Sequence, residues 1–200
     1  MTRIIAGRAG GQRLKSVPGS ATRPTTDRVK ESLFARLDAW GMCDGARVLD
    51  LFAGSGALGL EAASRGASTV TLVERAAVAA AVCRENATLV AASCPDTKIT
   101  TVQSAVAGYL GRAAHHRWDL VLADPPYPLD NAELARTLSR LVGRLGPGGV
   151  IAVERSTRTE EPAWPRGLRR FEDGEHGETR LWFLEADDDG APDPVAPDAD

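Results

Sequence analysis

The fold is decided by residues Val48–Gly59, which read VLDLFAGSGALG. An apolar run leads into Asp50, passes through a loop with two closely spaced glycines, and continues as an apolar helical stretch. A short apolar run that ends at a glycine loop is typical of a strand buried on both faces. A strand, a glycine loop and a helix in this order form the first unit of a doubly wound α/β sheet, so the segment predicts that fold.

The rest of the chain repeats this alternation of strands and helices. The apolar runs that have the character of buried strands are Val48–Phe52, Val70–Val73, Ile99–Val102, Leu120–Ala123 and Val150–Val153. The helical stretches between them are Leu58–Arg65, Ala76–Val90, Val106–Arg112 and Asn131–Leu145. Two last runs, Leu168–Phe171 and Arg180–Leu184, are joined by a short polar segment and predict a β-hairpin. We therefore expect an α/β protein with a doubly wound, mostly parallel, Rossmann-like sheet and a C-terminal antiparallel hairpin.

Composition divides the chain into three parts. Residues 1–24 are basic and rich in glycine, and they predict an N-terminal β-hairpin arm that is held loosely to the rest. Residues 25–184 are expected to form the main domain, with an amphipathic lid helix over 27–40 and a core over 46–184. Residues 185–200 contain seven acids and no base, so we expect an acidic, disordered tail.

The charge distribution bears on the kind of partner. A formal net charge of −3 argues against a nucleic-acid ligand, but seven of the 27 acids lie in the tail, and outside it 24 Lys and Arg residues face 20 acids. The first thirty residues hold seven bases and a single acid, Asp27. Such an arm suits contacts with RNA phosphates that order it on binding. We assign these contacts to Arg3, Arg8, Arg13, Lys15, Arg23 and Arg28.

Other classes of protein are excluded by the sequence. No apolar run approaches the ~18 residues of a membrane span, and the first residues lack the apolar stretch of a signal peptide. Cys43, Cys83 and Cys94 show neither CxxC nor Cys/His spacing. We therefore expect a cytoplasmic protein with no metal site and no membrane association.

The glycine loop predicts a site for an adenosine-containing cofactor. Gly54 and Gly56 permit positive φ and leave bare backbone against which a ligand can lie. Glu74, at the end of the next strand, is placed to accept hydrogen bonds from both ribose hydroxyls.

S-adenosylmethionine fits this loop better than NAD. Asp50 lies four residues before Gly54, where an acid suits the cationic amino group of methionine better than a pyrophosphate. The residues Phe52 and Ala53 widen the turn relative to the dinucleotide fingerprint. The expected cofactor-binding residues are Asp50, Phe52, Ala53, Gly54, Ser55, Gly56, Glu74, Arg75, Ser104 and Ala105. Residues 54–59 read GSGALG and match the GxGxxG pattern of dinucleotide sites, so an NAD-dependent oxidoreductase remains an alternative on this pattern alone.

A second motif, Asp124-Pro125-Pro126-Tyr127, follows the fourth strand and supplies the expected catalytic residues. The exocyclic amino group of a nucleobase is a poor nucleophile, because its lone pair is delocalised into the ring. Hydrogen bonds to the Asp124 carboxylate and the Pro125 carbonyl would draw its nitrogen toward a nucleophilic form, and prolines fix the backbone that aims this carbonyl. Tyr127 offers a face on which an unpaired base can stack.

Together these motifs resemble the ribosomal RNA small subunit methyltransferase D family, within the class I S-adenosylmethionine-dependent methyltransferases. The likeness covers roughly residues 3–184, and besides the glycine loop and DPPY it includes RIIAGRAGGQRL, RPTTDRVKESLF and GEHGETRLWFL. The resemblance implies a seven-stranded sheet with an antiparallel last strand. In many proteins of this class an acid after the third strand contacts the adenine, but here Ser104 and Ala105 follow that strand, so the adenine contact is assigned to backbone or to Ser104. The resemblance also implies methylation of guanine N2 in 16S ribosomal RNA, presented in an assembled or partly assembled small subunit. Alternatives are an adenine-N6 methyltransferase of DNA or RNA and a non-catalytic RNA-binding module.

Overall fold

The computed structural model describes residues 2–19, 27–126 and 128–187. Its strands are β1 (Thr2–Arg3), β2 (Arg13–Leu14), β3 (Arg47–Asp50), β4 (Thr69–Glu74), β5 (Lys98–Gln103), β6 (Trp118–Ala123), β7 (Leu145–Ser156), β8 (Leu168–His176) and β9 (Thr179–Ala186). Its helices are α1 (Asp27–Ala39), α2 (Ala57–Ser64), α3 (Ala77–Ala91), α4 (Val106–Arg112) and α5 (Asn131–Ser139). The expected succession of strands and helices is thus confirmed along the described chain.

Seven strands form one sheet in the order β5-β4-β3-β6-β7-β9-β8. Strands β3 to β7 run parallel, and β9 is antiparallel to both of its neighbours. The chain moves outward from β3 to β5 and then returns to place β6 on the other side of β3. This reversal opens a crevice at the carboxyl ends of β3 and β6, which is where open α/β sheets bind ligands. The predicted doubly wound sheet and its terminal hairpin are confirmed.

Side chains alternate between the two faces of the sheet and form two separate cores. Val48 belongs to one buried cluster, together with Leu33 of α1 and Leu60 of α2. Leu49 belongs to the other cluster, together with Leu134 of α5. Because both faces are covered, the central strands are apolar throughout, which explains the continuous apolar runs in the sequence.

The boundary between α5 and β7 differs from the expectation. The helix ends at Ser139 rather than Leu145, and residues 146–149 belong to a strand that begins at Leu145. Gly143 has φ of +71°, a conformation that ends helices, and Leu145 pairs with Trp118 of β6 across a register shift. Leu141 and Leu145 are buried although they lie beyond the helix. Because they continue the apolar spacing of α5, the sequence pattern placed the end of the helix too late.

Both ends of the chain are tied into the fold further than expected. The prediction of a loosely held arm is wrong, because Ile4 and Leu14 are fully or almost fully buried in the first core. At the other end β9 continues to Ala186, and Glu185 forms a 2.6 Å ion pair with Arg169 of β8. The first residues of the predicted tail therefore belong to the sheet, whereas 188–200 lie outside the described residues.

Candidate active site

Three carboxylates stand at the same edge of the sheet because each follows or ends a parallel strand. Asp50 ends β3, Glu74 ends β4, and Asp124 comes directly after β6. The negative charges of Asp124 and Glu74 both raise the pKa of Asp50, so the three groups interact electrostatically. The structure therefore brings the predicted cofactor loop and the predicted catalytic motif to one crevice.

Asp50 is almost completely buried and only half satisfied. Its Oδ2 accepts a 2.9 Å hydrogen bond from the backbone amide of Gly59, while Oδ1 has no hydrogen-bond partner among the described residues. Burial raises the pKa of Asp50 to about 7; repulsion from Asp124 and Glu74 adds to this rise, while the nearby backbone amides of Gly59 and Phe52 oppose it. A buried carboxylate of this kind is costly unless a cation or a donor completes its environment. The unpaired oxygen thus fits the ammonium group of a methionine-type ligand.

Glu74 organises the glycine loop itself. Its Oε2 accepts a 2.9 Å hydrogen bond from the amide of Gly54, and its Oε1 accepts one of 2.7 Å from the amide of Ala76. Gly54 has φ of +54°, and a Cβ atom built there meets nothing within 4 Å. Each carboxylate oxygen keeps a further lone pair, so ribose hydroxyls can still be accepted beside the loop contacts. The residues present therefore fit an adenosine-containing cofactor.

The other predicted cofactor residues have different surroundings. Phe52 is half-buried against the second core, Ala53 is buried, and Arg75 is exposed. Ser104 is drawn to the site by its backbone, because its amide donates a 3.0 Å hydrogen bond to the Glu74 carbonyl. Its hydroxyl donates to the carbonyl of Ala105 and accepts from Arg112, so this hydroxyl is already engaged.

The DPPY segment is held from a neighbouring strand by Arg155. Pro125 is buried, and the carbonyl of Pro126 closes a turn by accepting a 2.9 Å hydrogen bond from Leu129. Arg155 of β7 donates to the Leu129 carbonyl at 2.8 Å and to Oδ1 of Asn131 at 3.3 Å. Burial lowers the pKa of Arg155, and the charges of Asp124 and Asp130 oppose this shift.

Tyr127, the last residue of the motif, lies outside the described residues. Sequence reasoning missed Arg155, for which the only signal was a base that follows an apolar strand.

The bases of the arm lie on a docked surface rather than on a free segment. Arg3 pairs with Asp27 at 3.4 Å, Arg8 with Asp96 at 2.9 Å, and Lys15 with Glu85 at 2.6 Å. Exposed pairs of this kind contribute about 0–1 kcal/mol, so phosphates can replace their acids at little cost. Arg13 and Arg28 are exposed, and Arg23 lies outside the described residues.

Neither a metal site nor a membrane-spanning helix is found in the part of the chain that the structure describes. No group of three or more His, Cys, Asp and Glu side chains there is arranged to hold a metal ion. No described helix is long and apolar enough to cross a membrane.

The sheet order and the site at its switch point define a class I methyltransferase fold. Magnesium protoporphyrin IX methyltransferase from Synechocystis PCC 6803, solved with bound S-adenosylmethionine, shares this fold at 17% identity. It has a TM-score of 0.60, over 78% of this chain and 77% of that one. A protein from Thermus thermophilus, described as hypothetical, is similar at 32% identity and a TM-score of 0.78, over 93% of this chain and 100% of that one.

Sequence comparison identifies the family. Residues 2–185 match the family described as conserved hypothetical protein 95, and the chain belongs to it. Ribosomal RNA small subunit methyltransferase D of Escherichia coli K12 is 36% identical, over 82% of this chain and 79% of that relative. The resemblance predicted from the sequence motifs is confirmed.

Proposed function

We propose that this protein methylates the exocyclic N2 of a guanine in 16S ribosomal RNA, with S-adenosylmethionine as the methyl donor. The observation that carries the proposal is the meeting of Asp50, Glu74 and Asp124 at the switch point of the sheet. The relatives named ribosomal RNA small subunit methyltransferase D support the choice of ribosomal RNA as substrate. A ribosomal substrate also places the protein in the cytoplasm.

Two carboxylates of the chain would hold the cofactor. The cofactor supplies an electrophilic methyl group on a sulfonium sulfur. The unpaired Oδ1 of Asp50 would accept a hydrogen bond from the ammonium group of the cofactor, whose positive charge would also balance the buried carboxylate. Glu74 accepts hydrogen bonds from the ribose hydroxyls while it keeps Gly54 in place. Because these groups are fixed before the ligand binds, little ordering is needed on binding.

The DPPY segment would hold the guanine. The carboxylate of Asp124 and the carbonyl of Pro125 accept hydrogen bonds from the N2 amino group and aim its lone pair at the methyl carbon. Methyl transfer would form the N–C bond and break the C–S bond, leaving S-adenosylhomocysteine, and the proton released by the nitrogen would pass to water. Orientation of this kind supplies about 7–11 kcal/mol of the barrier reduction. Arg155 keeps the segment in place through Leu129 and Asn131, and Tyr127 stacks on the base.

The basic arm would bind the RNA backbone. Arg3, Arg8 and Lys15 would exchange their surface acids for phosphates, and the exposed Arg13 and Arg28 would add further phosphate contacts. A phosphate contact is also proposed for Arg23. A docked arm presents these charges in a fixed arrangement, which suits a shaped substrate such as an assembled or partly assembled small subunit better than a flexible strand.

The test supplies labelled S-adenosylmethionine and small subunits from a strain that lacks the enzyme, and then maps the modified nucleotide. We expect label on N2 of a guanine in 16S ribosomal RNA. Label on adenine, on DNA or on protein overturns the substrate assignment. Tight binding of NAD with none of S-adenosylhomocysteine overturns the cofactor assignment.

A further inference from the structure

Asn86 of α3 joins the N-terminal arm to the glycine loop through one fully buried side chain. Its Oδ1 accepts a 2.8 Å hydrogen bond from the amide of Lys15, and its Nδ2 donates one of 3.0 Å to the carbonyl of the same residue. The second hydrogen of Nδ2 is donated to the carbonyl of Ser55 at 2.8 Å. Every donor of the side-chain amide is therefore used, and two distant segments meet on it.

The contact with Ser55 sets the orientation of a particular peptide group. The carbonyl of Ser55 and the amide of Gly56 belong to one planar unit, so fixing the oxygen also fixes the N–H. That amide donates a 2.6 Å hydrogen bond to the carbonyl of Ala53, and Gly56, with φ of +85°, forms the N-cap of α2. Asn86 thus holds the backbone of the loop that is proposed to bind the cofactor.

Only a primary amide can make this set of contacts at this position. Lys15 offers one donor and one acceptor, and Ser55 offers a second acceptor, so the group between them must accept once and donate twice. A carboxylate of the same shape accepts but does not donate, and a leucine of similar size does neither. Detachment of Lys15 would leave buried polar atoms of Asn86 unsatisfied, which links the position of the arm to the state of the loop.

We infer that Asn86 is a positioning residue that couples the docked arm to the cofactor loop, so that the arm belongs to the cofactor site as well as to the RNA surface. The inference rests on the proposed function for the identity of the two ligands. Coupling between two sites is reciprocal. A ligand that orders the loop therefore also holds Lys15 more firmly against Asn86.

The test compares the full-length wild type with Asn86→Leu and with Glu85→Ala. Glu85 neighbours Asn86 and also contacts Lys15, but only through its exposed side chain, so this control keeps the buried backbone contacts. Affinity for S-adenosylhomocysteine is measured by calorimetry, and exchange of the Lys15 amide hydrogen is followed with and without this ligand. We expect Asn86→Leu to lower the affinity for S-adenosylhomocysteine about tenfold and to abolish the ligand-dependent slowing of Lys15 amide exchange. In Glu85→Ala the affinity and the slowing of exchange should both equal those of the wild type.

Wild-type affinity and a wild-type exchange response in folded Asn86→Leu would overturn the inference. If the leucine variant does not fold, Asn86→Asp keeps the shape and the acceptor for the Lys15 amide but loses the donation to Ser55. This variant is expected to lower the affinity for S-adenosylhomocysteine to a similar extent, and unchanged affinity would equally overturn the inference. Failure of the wild type to bind S-adenosylhomocysteine would instead contradict the proposed cofactor, so the two failures are distinguishable.

Discussion

The backbone amide of Gly59 donates a 2.9 Å hydrogen bond to Oδ2 of Asp50, while the other carboxylate oxygen of Asp50 has no partner among the described residues. A glycine favours this approach, because a Cβ atom at position 59 would overlap a methyl carbon of the buried Leu72 side chain. The first turn of α2 therefore satisfies one oxygen of the buried acid and leaves the second one for a ligand.

This half-satisfied acid predicts a pH dependence. The pKa of Asp50 is raised to about 7 in the folded protein, against an ordinary value near 4. Its contribution to the stability of the ligand-free protein is present below about pH 4 and is lost as the pH rises through about 7. Affinity for S-adenosylhomocysteine should rise with pH, by up to about tenfold per pH unit between pH 5.5 and 7, because only the ionised carboxylate of Asp50 binds the ammonium group.

Thermal unfolding and calorimetry across this pH range check both trends. Asp50→Asn should flatten both of them, because the side chain no longer ionises. A wild-type affinity that does not vary with pH, or one that varies equally in Asp50→Asn, would contradict the assigned role of Asp50.

Asp124→Ala should separate chemistry from cofactor binding. Loss of the carboxylate that orients the amino group is expected to lower kcat about 100- to 1000-fold, by analogy with the removal of one preorganised catalytic hydrogen-bonding group. Single-turnover methylation of small subunits measures the first effect, and calorimetry with S-adenosylhomocysteine should show affinity largely retained. Glu160→Gln, which changes an exposed acid beyond the DPPY segment, is the matched control. Full methylation activity in Asp124→Ala would contradict the catalytic role of Asp124, whereas absence of methylation by the wild type would favour a non-catalytic RNA-binding protein.

Glu61→Gln should release the arm and destabilise the whole protein. Glu61 is completely buried and accepts hydrogen bonds from the amides of Ile5 and Ala6 at 2.7 and 3.0 Å. It also pairs with Lys30 and Arg65, so its neutralisation leaves the buried Lys30 ammonium without its carboxylate partner, while Arg65 keeps its pair with Asp38. Breaking such a network costs about 3–5 kcal/mol in the free energy of unfolding, measurable by urea denaturation. Arg169→Gln, which breaks only the more exposed pair with Glu185, should cost no more than about 1 kcal/mol.

The charges of the arm should matter for RNA but not for the cofactor. Replacing Arg3, Arg8 and Arg13 by glutamine is expected to weaken binding of small subunits and to make it less sensitive to salt, because fewer counterions are released. Affinity for S-adenosylhomocysteine should stay unchanged. Arg158→Gln, which changes an exposed base in the turn directly after β7, is the control. An unaltered salt dependence in the triple variant would argue against the arm as the RNA surface. Removal of the acidic residues 188–200 should leave methylation intact.

The sequence by itself determined the sheet and the placement of its carboxylates. Apolar runs mark strands because a strand covered on both faces must be apolar along its length. The carboxyl ends of parallel strands meet at one edge, so the positions of Asp50, Glu74 and Asp124 at or just after the ends of such strands indicated that these acids share that edge. These inferences depend on local pattern and on a general rule of topology.

Only the tertiary structure decided how the remaining groups are engaged. Asn86 and Lys15 are 71 positions apart, and Glu61 and Ile5 are 56 apart, so no local period in the sequence records either contact. In the sequence, a buried amide or carboxylate cannot be told from a surface residue, because the backbone groups that satisfy its hydrogen bonds come from distant segments. The arm is basic and rich in glycine, which locally favours a loose segment, yet burial of Ile4 and Leu14 and the polar side chains of α2 and α3 dock it.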